Sequence, residues 1–196
     1  MAPDFATKPT LHGRLVTLRP FRPDDVEEMA RVLSDPEVRR LTGSVESTAE
    51  AERPQPVDDR LRDWYATRND QTDRLDLAIE DAASGTLVGE VVLNEVDLES
   101  LTCNLRVLVG PQGRDRGLGT DAVGLVTTYA LQALGLRRIT LEVFDFNPRA
   151  RRVYEKVGYV VTGVRPGALV FDGAAVAAVD MAVDAESWRL SRDPQP

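Results

Sequence analysis

Arg114-Asp115-Arg116-Gly117-Leu118-Gly119-Thr120 is the stretch on which the fold turns. Before it, Val107-Leu108-Val109 is an apolar run of strand character. After it, Ala122, Val126, Ala130 and Ala133, with Leu125, Tyr129 and Leu134 alongside, recur at helical spacing, and Gly135 is a natural stop. Glycines between a strand and a helix let backbone N–H groups approach an anion with no side chain in the way. The helix beyond aims its partial positive end and unpaired N–H groups at the same point. The segment reads as a pyrophosphate cradle, to which Arg114 and Arg116 add charge. A plain strand-to-helix turn with two convenient glycines is the competing reading. The absence of a following Gly-Lys-Ser/Thr argues against a Walker-type loop, and the lack of Gly-x-Gly-x-x-Gly on a first strand argues against a dinucleotide fold.

Working outward, residues 137–144 alternate as a strand, and Asn147-Pro148 opens a helix that ends at Gly158. Tyr159 begins another strand, and 168–184 reads as a hairpin turning at Asp172-Gly173. Upstream, 15–20 is a strand, and Pro23 with acids in the first turn starts an amphipathic helix carrying Val26, Met29, Ala30 and Leu33. Residues 44–70 are less regular, with Pro54 and Pro56 interrupting them and a second helix through 57–68. Strands at 75–81 and 86–96 join through a turn at 83–85, and 102–110 is a further strand. The order β-α-α-β-β-β-α-β-α-β-β describes one mixed α/β domain. The expected domain is 11–187, with residues 1–10 and 188–196 as flexible tails.

The 196 residues suffice for one domain with a real core, and 42% are apolar. Neither a membrane span nor a secretory leader is legible, and a single cysteine, Cys103, fits a reducing cytoplasm. One histidine, His12, beside that one cysteine argues against a zinc site, so no metal is expected. The net charge of −8 argues against a nucleic-acid partner. Residues 1–100 hold 22 acids against 12 bases, and 101–196 hold 10 against 12. An acidic half suits a cationic substrate and a basic half a polyanionic cofactor, while an ordinary acidic surface explains the same totals.

Arg114-x-x-Gly117-x-Gly119 resembles the Gln/Arg-x-x-Gly-x-Gly/Ala signature of the GNAT superfamily of acyl-CoA N-acyltransferases. Downstream, Asn147-Pro-Arg-Ala150-Arg-Arg-Val-Tyr154-Glu-Lys-Val-Gly158-Tyr159 resembles that family's second block, in the right order and on the right elements. The likeness spans about residues 11–185. LHGRLVTLRPFRPDD and VGEVVLNEV resemble the branch holding ribosomal-protein N-terminal and spermidine acetyltransferases.

The resemblance implies a GNAT fold, with a mixed, mostly antiparallel central sheet flanked by helices, and acetyl-CoA as acyl donor. It implies that Val107, Leu108 and Val109 pair with the pantetheine arm, and that the strand splays at a bulge where an N–H near Leu108–Val109 stabilises an oxyanion. Arg114, Asp115, Arg116, Gly117, Leu118, Gly119 and Thr120 would hold the pyrophosphate, mostly through main chain. Asn147 would hydrogen-bond the pantetheine, although a helix N-cap explains it equally. Within the cluster Arg149, Arg151, Arg152 and Lys156, Arg152 is the expected ribose-phosphate contact. Tyr154 is the candidate general acid, protonated at neutral pH with an ordinary pKa of ~10. Glu90, Glu95, Asp35 and Glu37 are the carboxylates near the acceptor side from which a base would come. His12 has no assigned role, and Cys103 reads as a small buried hydrophobe.

The implied activity is acyl transfer to a primary amine in a ternary complex, by a cytoplasmic enzyme, with a homodimer as a common family arrangement. A protein N-terminus, a polyamine and an aminoglycoside all remain open as acceptor, and so does an acyl group other than acetyl. The competing function is a non-catalytic acyl-CoA sensor.

Overall fold

The structure, a computed structural model, describes residues 3–54 and 58–190. Its first strands are β1 (Leu11–His12) and β2 (Val16–Arg19). Four helices follow: α1 (Asp25–Ser34), α2 (Pro36–Leu41), α3 (Thr48–Ala51) and α4 (Asp59–Ala66). Next come β3 (Leu75–Asp81), β4 (Leu87–Asp97), β5 (Thr102–Val109), α5 (Leu118–Thr128) and β6 (Arg138–Phe144). The chain closes with α6 (Pro148–Val157), β7 (Val160–Phe171), β8 (Ala174–Asp184) and α7 (Ala185–Leu190). The strands form one sheet in the order β1-β2-β3-β4-β5-β6-β8-β7. Only β5 and β6 run parallel, and α5 supplies the crossover that a parallel pair needs.

Side chains alternate across each strand, so the sheet buries both faces. Leu75, Leu77 and Ile79 of β3 join Cys103 and Leu105 of β5 under α5. Ala78, between them, faces the other way and packs with Phe21, Met29, Val32, Val38 and Tyr65.

Several expectations need revision. Asp35 and Glu37, expected in a loop, cap and begin α2, with Asp35 Oδ1 accepting from Val38 N at 2.9 Å. At α3, Ser47 Oγ accepts from Glu50 N (3.2 Å) while Glu50 accepts from Glu46 N (3.1 Å). Helices of six and four residues show too little periodicity to be seen, though both start signals are in the sequence. The expected helix through 57–68 is shorter, capped by Asp58; Val57 and Pro56 lie outside the described residues. After α5 the chain widens into a π turn at Tyr129–Ala133, closed by Leu134 N to Tyr129 O at 3.1 Å. The extra residue in the turn rotates Ala133 to the surface and Leu131 into the core.

The core also reaches past the expected bounds of 11–187. Phe5 is buried in it, and Lys8 Nζ donates to the carbonyls of Phe5, Gln71 and Arg74 at 2.5, 2.5 and 2.8 Å. Trp188 is 2% exposed on α7, within the stretch expected to be a flexible tail; residues 191–196 lie outside the described residues.

Candidate active site

The β5–β6 ladder holds only at Thr102–Arg138, Cys103–Ile139 and Asn104–Thr140. From Leu105 onward the strands diverge, and a cleft of about 830 Å³ opens between β5, the start of α5, β6 and α6. On its other side β5 stays in regular register with β4 from Asn94–Asn104 to Gly89–Val109. The expected bulge near 108–109 is therefore absent. Irregularities lie instead in β4, between Asn94 and Asp97, where Glu95 has φ 51°, and where β4 meets Ile79 and Glu80.

This register decides which backbone groups face the cleft. Gly110 N donates to Val88 O at 2.8 Å, and the Leu108 carbonyl crowds Gly89, so both point toward β4. By alternation, the N–H and C=O of Val107 and Val109 point into the gap. Leu108 is the wrong donor for that role; its side chain packs on the α1–α4 layer.

The loop after β5 passes through a 3₁₀ turn at Pro111–Gly113, then Asp115 at φ 57° and Gly117 at φ 80°. Gly117 is the N-cap of α5, and no side chain among the described residues caps the first-turn N–H groups. Leu118 is buried in the core and anchors the turn. Gly119 and Thr120 line the cleft. A Cβ at Gly119 would meet only Val109 Cγ2, at 3.6 Å, so packing does not demand glycine there. The space left by its missing side chain, with the free amides beside it, fits a diphosphate.

The loop arginines behave differently from expectation. Arg114 is held by Asp35 and by Glu37 (2.6 Å), with Nε donating to Val109 O at 3.3 Å. Arg116 turns from the cleft to Asp81 (2.7 Å), whose carboxyl it holds below the usual range. Neither offers an unpaired charge to the cradle. Asp115 sits exposed at the rim, 3.9 Å from Arg149, which also meets Glu37 at 2.7 Å.

On α6, Asn147 lines the cleft and caps the helix, its Oδ1 accepting from Ala150 N at 3.1 Å. Arg152 and Lys156 line the cleft, while Arg151 turns to Glu155 at 2.8 Å. Tyr154 is 6% exposed and lines the same cleft; burial pushes its phenol up to about 12.

A second cavity, about 350 Å³, lies on the α1–α4 side of β5. It shares Val38, Thr42, Arg106, Val107 and Leu108 with the first. Glu90 lines it, facing Leu108 across the β4–β5 ladder. Burial raises the Glu90 pKa, against the pull of Arg68 and of the Tyr65 hydroxyl, which donates to Glu90 Oε2 at 3.0 Å. Of the four carboxylates considered, Glu90 is the buried one at the junction. Asp35 and Glu37 are engaged with arginines, and Glu95 is exposed at the cleft edge. Tyr65, Arg68 and Arg106 were not legible as site residues. The alternation of Asn104 and Arg106 with apolar neighbours was the available signal for a polar face on β5. His12 is exposed on edge strand β1, and Cys103 is buried with its thiol pushed up to about 12.

Residues 15–160 match the family model described as the acetyltransferase (GNAT) domain. Over 148 residues the chain is 28% identical to the N-acetyltransferase 9-like protein of Caenorhabditis briggsae, covering 71% of each. It is 26% identical over 156 residues to the spermidine N(1)-acetyltransferase of Escherichia coli, covering 79% of this chain and 77% of that one. The crystal structure of spermidine N-acetyltransferase from Vibrio cholerae with CoA and spermine has the same fold, with a TM-score of 0.77 at 20% identity. That likeness covers 89% of this chain and 98% of the other.

Proposed function

This chain belongs to the acetyltransferase (GNAT) family, and from that premise we propose that it moves an acetyl group directly from acetyl-CoA to a primary amine while both are bound. It is an N-acetyltransferase with acetyl-CoA as its acyl donor. The observation that carries the finer reading is the meeting of two cavities at Arg106, Val107 and Leu108, with Tyr154 lining one and Glu90 lining the other.

Acetyl-CoA supplies an activated carbonyl and a sulfur leaving group. The amides of Gly117 through Thr120 hold its diphosphate, with Arg114, Asp115 and Arg116 shaping the loop. Arg152 approaches the ribose phosphate. Asn147 and the outward backbone of Val107 and Val109 bind the pantetheine as an added strand. The N–H groups of Val107 and Val109 are the donors available to the carbonyl oxygen as charge develops on it. Glu90 Oε takes the proton that an ammonium of pKa ~10.4 must lose before it attacks. Tyr154 Oη keeps its proton at neutral pH and delivers it to the departing sulfur.

The same reading includes pairing of two copies through edge strand β7, supported by the exposed Val160, Val161, Val164 and Val170. It also includes a cytoplasmic setting, supported by a lone buried thiol. The deciding experiment follows CoA release with a thiol reagent across a panel of amines. Amine-dependent release is expected; acetyl-CoA binding without release for any amine favours a sensor instead.

A further inference from the structure

The smaller cavity is lined by Arg39, Arg68, Arg74 and Arg106 and by a single carboxylate, Glu90. Asp76, fully buried beside them, is the only other anion in the cluster among the described residues. Four cations against two anions leave an excess of two positive charges in the cavity that the proposed reading gives to the acceptor.

The partners of each arginine show where that excess is free. Arg74 is taken up by Asp76 in a two-point contact of 2.7 and 2.8 Å. Arg39 spends Nη1 on the carbonyls of Glu50, Ala51 and Arg53 at 2.8, 2.9 and 2.9 Å, and meets no carboxylate among the described residues. Arg68 pairs with Asp76 through Nη1 and lies 3.7 Å from Glu90 through Nη2. Its Nε is buried with no hydrogen-bond partner among the described residues, and so is that of Arg39, so the Nη atoms are the ones that can meet a ligand. Arg106 is exposed at the junction of the two cavities and has no hydrogen bond or ion pair among the described residues. The Trp64 ring covers Arg68 at 4.4 Å and keeps it oriented.

Five acids of the first half of the chain are already spent elsewhere: Asp35 and Glu37 bind Arg114, Asp25 and Glu80 bind Arg19, and Asp81 binds Arg116. A polycation entering here meets guanidinium groups of its own sign.

We propose that the amine acetylated by this protein carries an anionic group of its own, a carboxylate or a phosphate, bound by Arg106 and Arg68 while the amine faces Glu90. The inference rests on the acetyl-transfer reading and deepens it. Guanidinium pairs both oxyanions in the same forked geometry.

The test measures CoA release with ω-amino acids from glycine to 6-aminohexanoate, with O-phosphoethanolamine, with n-butylamine and with spermidine. The acidic amines should exceed n-butylamine and spermidine in kcat/KM by about 10- to 100-fold, the span set by charge-assisted hydrogen bonds of ~1.5–3 kcal/mol. Arg106→Gln should collapse that ratio mainly through KM, and comparison of the carboxylate and phosphate arms names the anion. Equal or better turnover of n-butylamine or spermidine overturns the proposal. If no amine releases CoA, acetyl transfer itself fails, and a titration of Trp64 fluorescence with the same compounds on the CoA-bound protein decides the proposal separately. Trp64→Phe removes the signal from the cavity, leaving buried Trp188 as background. Saturable binding of the acidic amines alone retains the anion preference, and binding of spermidine alone ends it.

Discussion

Tyr65 donates its hydroxyl hydrogen to Glu90 Oε2 across 3.0 Å beside the smaller cavity. The bond favours the carboxylate, while burial, the larger influence, favours the neutral acid. If Glu90 is the base, as proposed, it must be ionised, and kcat/KM should rise with pH through a Glu90 pKa above the ordinary value of ~4.3. Tyr65→Phe removes one stabiliser of the charged form and should move that acid limb to higher pH. Glu90→Gln should lower kcat by about 10²- to 10⁴-fold and abolish the limb. Stability runs the other way. A carboxyl whose folded pKa is raised contributes fully below the unfolded pKa and loses that contribution as pH rises through the folded one. Glu90→Gln should therefore match or exceed the parent in thermal stability at pH 8, which melting curves at two pH values will check.

Gly117 and Gly119 separate folding from cofactor binding. Gly117 sits at φ 80°, where a side chain is strained, and Gly117→Ala should lower stability by about 1–2 kcal/mol. Gly119 has room for a side chain, with nothing nearer than Val109 at 3.6 Å. Gly119→Val should melt close to the parent yet bind CoA at least about tenfold more weakly, because its methyl groups enter the diphosphate cradle. Calorimetric titration beside a melting curve tests both. A Gly119→Val protein with unchanged CoA affinity would remove the cradle assignment.

Glu37 bridges Arg114 (2.6 Å) and Arg149 (2.7 Å), tying α2 to both the phosphate loop and α6. Both guanidinium groups border the cleft, and a carboxylate already holds them. Glu37→Gln should tighten CoA binding, by up to about fivefold given partly exposed pairs of ~0.2–1 kcal/mol. Loss of a cofactor ligand would have the opposite sign. The gain should shrink in high salt.

The strand–glycine–helix turn was legible because its reason is local: a strand, glycines and a helix start adjoin in the chain. The edges of β3 at 75–81 were legible for the same reason, since alternation and flanking turns are written in consecutive residues. The smaller cavity was not. Arg68 and Arg106 come from a turn and a strand 38 residues apart, and only the β3–β4–β5 register brings Asp76, Glu90 and Arg106 onto one face. The acidity of the first hundred residues allowed a cationic acceptor or an ordinary acidic surface, because totals do not record which acids are already paired. The motif position of Arg114 and Arg116 was plain, but their partners Asp35 and Asp81 lie far off in sequence and could not be read from it.

Tyr154 lies against Tyr159 with ring centroids 6.0 Å apart, inside the layer that buries it. Tyr154→Phe keeps the ring and that packing while deleting the proton. It should reduce kcat by about 10²-fold or more with little change in CoA affinity. With the phenol pushed up to about 12, the parent should show no basic limb from this group below about pH 10. An unaltered kcat in the phenylalanine variant removes Tyr154 as the acid.

Trp188 tests whether the chain end belongs to the fold. It is 2% exposed, packs in the same cluster as Tyr154 and Val157, and lies 3.7 Å from a Cβ built on Gly158, the stop of α6. Gly158 has φ 112°, so the turn that ends α6 and the ring that covers it depend on each other. Removing a buried indole leaves a cavity, and Trp188→Ala should cost about 3–5 kcal/mol. For a chain of this size that lowers Tm by roughly 6–20 °C, at ~2–4 °C per kcal/mol. Because α6 carries Tyr154 and Asn147, the surviving folded fraction should also bind CoA less tightly. Trp188→Phe, which keeps most of the packing, should recover most of both losses. A Trp188→Ala protein that melts with the parent would mean that residues from 188 onward act as a tail.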